Sequence, residues 1–137
     1  MRVLFPLPVP GDLLWCRFPE DLVKTPGPKS RPGLVLAVGE LDGKLAVTIA
    51  FGTSQKTPRL YPGEFLIDPA DGPAFGAAGL SYPTKFNLLK TVDLFYTEEW
   101  FEVAPGRPFG HSPKMGVLHP SLMRRAQAAL SNARRPR

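Results

Sequence analysis

Residues 33–51 read GLVLAVGELDGKLAVTIAF, two apolar, β-branched runs on either side of a polar GELDGK step. Each run has the length of a strand. Asp42-Gly43 between them is a dipeptide that two-residue hairpin turns prefer, because both central residues of such a turn need positive φ. The stretch therefore predicts an antiparallel hairpin with strands at 33–38 and 44–51. Upstream, residues 13–18 (LLWCRF) are aliphatic and aromatic, short, and closed by Pro19, which reads as a first strand. Residues 19–32, PEDLVKTPGPKSRP, hold four prolines and a glycine, too broken for a helix and too long for a tight turn, and predict an exposed loop.

Downstream, residues 52–62 (GTSQKTPRLYP) are polar and turn-rich, and a short strand is expected at 64–67. The segment 68–83 has no clear period. Strand character resumes at 84–94, and residues 100–103 and 114–118 supply two further short candidates. From Pro120 the pattern changes. Leu122, Met123, Ala126, Ala129 and Leu130 recur at three- and four-residue spacing, predicting an amphipathic helix over 120–131 that begins at Pro120 or Ser121. A basic, disordered tail is expected at 132–137. The sum is a mainly β domain over residues 1–131, a small antiparallel barrel closed by a C-terminal helix, a class in which closure removes exposed strand edges.

Composition supports this reading. The 137 residues are 43% hydrophobic, enough for one core, and include 17 prolines and 13 glycines, which suits short strands joined by irregular loops and argues against a helix bundle. No apolar run approaches the roughly 18 residues of a membrane span. The N-terminal MRVLFPLPVP is apolar but broken by prolines at 6, 8 and 10, so no export signal is read and a cytoplasmic location is expected. The single cysteine, Cys16, excludes an internal disulfide and a cysteine-built zinc site.

Up to residue 123 basic and acidic side chains balance, so the net charge of +5 comes from Arg124, Arg125, Arg134, Arg135 and Arg137. Such a terminus serves either solubility or contact with phosphates. Conventional catalytic sets are scarce. The two histidines, His111 and His119, read as surface or packing residues. Carboxylates occur singly or in solvated runs such as Glu98-Glu99, no spacing recommends a metal site, and no cofactor is expected. What remains is cationic and hydroxyl chemistry. Lys29, Arg31, Lys56, Arg59, Lys85 and Lys90 sit near strand ends beside Ser30, Thr53, Ser54, Thr57, Thr84 and Thr91. An arginine fork holds phosphoryl oxygens bidentately while a hydroxyl donates a further bond, so the set suits phosphate, although lysines and threonines are also commonplace at loop boundaries.

Three segments, GDLLWCRFPE (11–20), KSRPGLVLAV (29–38) and AFGTSQ (50–55), in this order and spacing, resemble the opening of the MazF/PemK (Kid) toxins. The shared features are a Gly-Asp-hydrophobic-hydrophobic-Trp strand, an Arg-Pro entering an apolar strand, and a Thr-Thr/Ser-Gln turn. The helix after VLHPSL (117–122) sits where that family places its last helix. The resemblance implies an SH3-like barrel, usually a homodimer, that cuts single-stranded RNA without metal and leaves a cyclic phosphate and a 5′-hydroxyl. It further implies a growth-inhibiting toxin acting on mRNA and restrained by a cognate antitoxin. By motif position, the catalytic arginine falls on Arg31 and the catalytic threonine on Thr53. Lys29, Ser54, Gln55, Lys56, Lys85 and Asn87 are the expected RNA contacts. The chain departs from the family at KFNLLKTV (85–92), where Asn87 stands near the place of a carboxylate, and over 68–83. Two other readings stay open: a barrel like the CcdB toxins, which bind DNA gyrase and hydrolyse nothing, and a barrel that keeps the scaffold purely for binding.

Overall fold

The computed structural model describes residues 6–19, 25–27 and 29–134. Six strands form one antiparallel sheet: β1 (Asp12–Cys16), β2 (Arg31–Leu41), β3 (Lys44–Thr53), β4 (Glu64–Ile67), β5 (Thr84–Phe95) and β6 (Lys114–Val117). The order across the sheet is β4-β5-β3-β2-β1-β6, with β4 and β6 as its two edges. A short helix α1 (Pro73–Ala77) follows β4 after a 3₁₀ turn at Pro69–Asp71, and α2 (Pro120–Ala133) follows β6.

The hairpin forms as its turn chemistry dictates. Asp42 and Gly43 take φ of 53° and 76°, so both central residues are left-handed, and Leu41 faces Lys44 across the turn. β2 is longer than the apolar run suggested. It begins at Arg31, and its first residues pair with β1 as Cys16–Arg31 and Trp15–Pro32. The β2–β3 register starts only at Gly33–Phe51. At Pro32 the strand is thus laddered on one side, where a missing N–H is tolerated. Arg31 therefore sits on a strand, not in the loop before it.

The sheet carries a core on each face. On one, Leu13, Leu34, Ala50, Phe65, Ile67, Phe86, Met115 and Leu122 pack together. On the other, Leu14, Cys16, Val35, Val47, Ile49, Leu94, Tyr96, Trp100 and Phe101 form a second cluster. Adjacent residues such as Leu13 and Leu14, Leu34 and Val35, or Ile49 and Ala50 go to opposite faces, as the two-residue period of a strand requires. Register breaks between Leu13 and Leu14, Val35 and Ala37, and Ala50 and Gly52 bend the sheet. The ladders do not close into a ring. Even so, Phe65 and Ile67 of one edge share a core with Met115 of the other, and Leu122 of α2 joins them.

Two glycines set the approach of α1 to β6. A Cβ on Gly79 would overlap the Met115 carbonyl, and one on Gly116 would overlap the Ala77 and Ala78 backbone. Backbone meets backbone here without side chains between. Arg125 holds α2 down: its guanidinium donates to both Asp71 carboxylate oxygens at 2.9 and 2.8 Å and to the Leu66 carbonyl at 2.7 Å. The pairing keeps the Asp71 carboxyl below its ordinary range. Arg125, expected among a charged terminal excess, is thus a fastening. The helix reaches Ala133 rather than residue 131, and Arg135 to Arg137 lie outside the described residues. Residues 100–103 form no strand; Phe101 makes a single bridge to Cys16.

Candidate functional site

The open ends of β2 and β3 face a cleft of about 620 Å3. Arg31 and Thr53 both line it, each two residues beyond the Gly33–Phe51 pair on neighbouring antiparallel strands. Trp15 and Pro32, a cross-strand pair of β1 and β2, contribute to the floor. One wall comes from the chain after α1 (Gly79, Leu80, Ser81, Tyr82) and another from the loop before β6 (Pro105, Gly106, Pro108, Phe109).

Among the described lining residues the charged side chains are Lys29 and Arg31, and no carboxylate, imidazole or thiol is present. Hydroxyls of Ser30, Thr53, Ser54, Ser81, Tyr82 and Thr84 accompany them. Arg31 is held over an aromatic face, its guanidinium carbon 5.7 Å from the Phe51 ring centroid. The Thr53 hydroxyl accepts the Gln55 backbone N–H at 3.1 Å, which fixes its rotamer and leaves its own O–H able to donate. Thr84 is buried and donates to the Tyr82 carbonyl at 2.8 Å, tying the aromatic segment to β5.

Ser30 is anchored from outside. Its hydroxyl donates to one oxygen of Glu102 while Arg17 donates to the other, so one carboxylate joins β1's exit to the residue preceding Arg31. These two bonds, the serine's first, lower the Glu102 pKa from its ordinary value. Cys16 is no nucleophile in this setting, since burial pushes its thiol well above the usual range. His119 is the N-cap of α2, where Nδ1 accepts the Ser121 N–H at 3.1 Å.

Of the residues expected from the sequence, the structure gathers Lys29, Arg31, Thr53 and Ser54 in the cleft. Gln55 and Lys56 are exposed in the turn that follows, with Lys56 at a φ of 51°. Lys85 lies elsewhere: its ammonium donates to the Arg59 carbonyl at 2.8 Å and pairs with Glu64 at 3.3 Å, under the ring of Tyr61. Asn87 faces Glu64 across β4 and β5, and its Oδ1 accepts the Leu89 N–H at 2.9 Å. Neither lines the cleft. Tyr82 and Phe109 do, and sequence reasoning passed over both. Their signal was an aromatic set in a glycine- and proline-rich loop (GLSYP, GRPFG). Such a ring has no core to enter.

Comparison with known proteins finds no matching family model and no match among curated proteins.

Proposed function

We propose that this protein is a metal-independent endoribonuclease of the MazF/PemK type, and that the cleft between β2, β3 and the two loop walls is its RNA site. The observation that carries the reading is the meeting of Arg31 and Thr53 in a cleft whose charged lining, among the described residues, is wholly cationic. A phosphodiester is anionic throughout its reaction, and such a site favours it at every stage. The edge strands' common core and the helix fastened to β4 beside it support an SH3-like architecture as the frame.

In this reaction the RNA 2′-hydroxyl attacks the adjacent phosphorus. The O2′–P bond forms, the P–O5′ bond breaks, the proton of O2′ passes to a base and O5′ is protonated as it leaves. The products are a 2′,3′-cyclic phosphate and a 5′-hydroxyl. Arg31 neutralises the charge that accumulates on the phosphorane oxygens. A guanidinium is too basic to take the O2′ proton, so its role is electrostatic, extending to donation toward the leaving oxygen. Thr53 donates a hydrogen bond to a non-bridging oxygen and orients the phosphate. Lys29 and Ser54 hold neighbouring backbone. The reading brings with it a homodimer, an mRNA substrate and an antitoxin that covers the cleft.

The test is digestion of a mixed-sequence single-stranded RNA with excess EDTA present, using wild type and Arg31→Ala. Fragments ending in cyclic phosphate from the wild type, and none from the variant, support the reading. Absence of cutting by the wild type across diverse RNAs overturns it in favour of a binding domain.

A further inference from the structure

Two exposed aromatics line the cleft. Tyr82 is 69% exposed and Phe109 48%, on different walls of the same cleft as Arg31. Large apolar rings left in water are normal singly, but two lining one cleft beside Arg31 mark a binding surface. Both are also held in place. The Tyr82 carbonyl is bonded by buried Thr84. Phe109 lies under the Lys114 ammonium, 4.8 Å from the ring centroid, and Lys114 is in turn paired with buried Asp12 at 3.4 Å. With Lys114 over its ring, Phe109 still lines the cleft and keeps about half of its surface in solvent.

We propose that Tyr82 and Phe109 are the base-stacking residues of the site, gripping unpaired nucleobases to either side of the phosphate that Arg31 holds. The proposal rests on the cleft being the RNA site and adds which part of the substrate the walls read. Stacking accepts any base, because each has a π face, and purines most readily. A duplex has its bases already stacked on one another and offers no face to these rings, so the arrangement selects single strands.

Two fluorescein-labelled hexamers separate the stacking from the phosphate contacts: 2′-O-methyl hexa-adenylate, which lacks the attacking hydroxyl, and an abasic 2′-O-methyl ribose phosphate hexamer. Anisotropy titration of the full chain should show the wild type binding the adenylate at least tenfold more tightly than the abasic strand. Tyr82→Leu and Phe109→Leu, exposed positions that keep an apolar side chain, should each lower the ratio of adenylate to abasic affinity roughly tenfold. Equal wild-type affinity for the two strands, variants that keep the full preference, or no binding of either strand overturns the proposal. Cleavage in EDTA scored alongside keeps the two claims apart. Cutting without base preference refutes the stacking alone, and base preference without cutting refutes the nuclease alone.

Discussion

Lys85 and Glu64 form an ion pair 3.3 Å long with both side chains out of solvent, 7% and 8% exposed. The pair joins β4 to β5, and Lys85 also donates to the Arg59 carbonyl, which pins the turn between β3 and β4. Removing one partner strands the other as a buried charge. Lys85→Met should cost about 3–5 kcal/mol of stability, and the double change with Glu64→Leu should recover most of it. Urea unfolding of the single and double variants checks this. A single variant as stable as wild type would mean that the pair is solvated in solution.

Thr53→Val keeps the β-branched shape and loses the donor. Cleavage should fall about a hundred- to a thousandfold, roughly 2.7–4 kcal/mol in the barrier, while affinity for an uncleavable RNA changes little. Single-turnover rates and anisotropy measure the two separately. Undiminished cutting by the valine variant removes Thr53 from the mechanism.

Gly116→Ala should destabilise the fold by about 1–3 kcal/mol, because its methyl meets the Ala77 and Ala78 backbone and neither strand nor helix can move aside alone. Gly39→Ala is the control, with nothing within 4 Å of the added carbon. Thermal melts should separate the two variants clearly. Since Ala77 and Gly79 line the cleft, the Gly116 variant should also lose RNA affinity at temperatures where it is still folded.

Asp71 and Glu102 are both held below their ordinary carboxyl pKa, the first mainly by its Arg125 bond and the second by Ser30 and Arg17. The unfolded chain therefore takes up these protons first on acidification. The stability they contribute is complete above the unfolded values and is lost as the pH falls below about 4 through the folded ones. Asp71→Asn should flatten the acid limb of the stability profile and lower the plateau at neutral pH. Chemical denaturation at a series of pH values reads both.

Much of the fold was legible because local chemistry and tertiary demand agree. Asp42-Gly43 declares its turn, and Pro120 opens a helix whose Leu122 is buried in the core. Strand limits were less legible. Pro32 reads as a breaker, yet one-sided pairing makes it an acceptable strand residue and carries Arg31 into β2. The segment before β5 showed no period because α1 is a five-residue helix, too short to display one, although the Asp68/Asp71 capping box before it was written in the sequence. Arg31 and Thr53, singled out by their motifs, meet in one cleft. Tyr82 and Phe109 reach the cleft only through contacts distant in sequence, and the burial of Lys85 depends on Glu64, a strand away. Basic residues look alike in a sequence until their partners are known.

The joining of β1 to β6, from Asp12 to Val117, closes a loop that holds the other four strands, whereas the β2–β3 hairpin closes over two residues. Loop-closure entropy makes the hairpin the early event and the β1–β6 ladder a late one. Arg31 and Thr53 stand just beyond the open end of the hairpin ladder, as the first residue of β2 and the last of β3, and the walls around them arrive with the late ladder. A growing chain would thus carry Arg31 and Thr53 in the open until Lys114 and the residues after it have been made, and would have no enclosed cleft before then. Pulse-labelled hydrogen exchange should find the amides of β3 protected ahead of those of β6, with binding competence following the second.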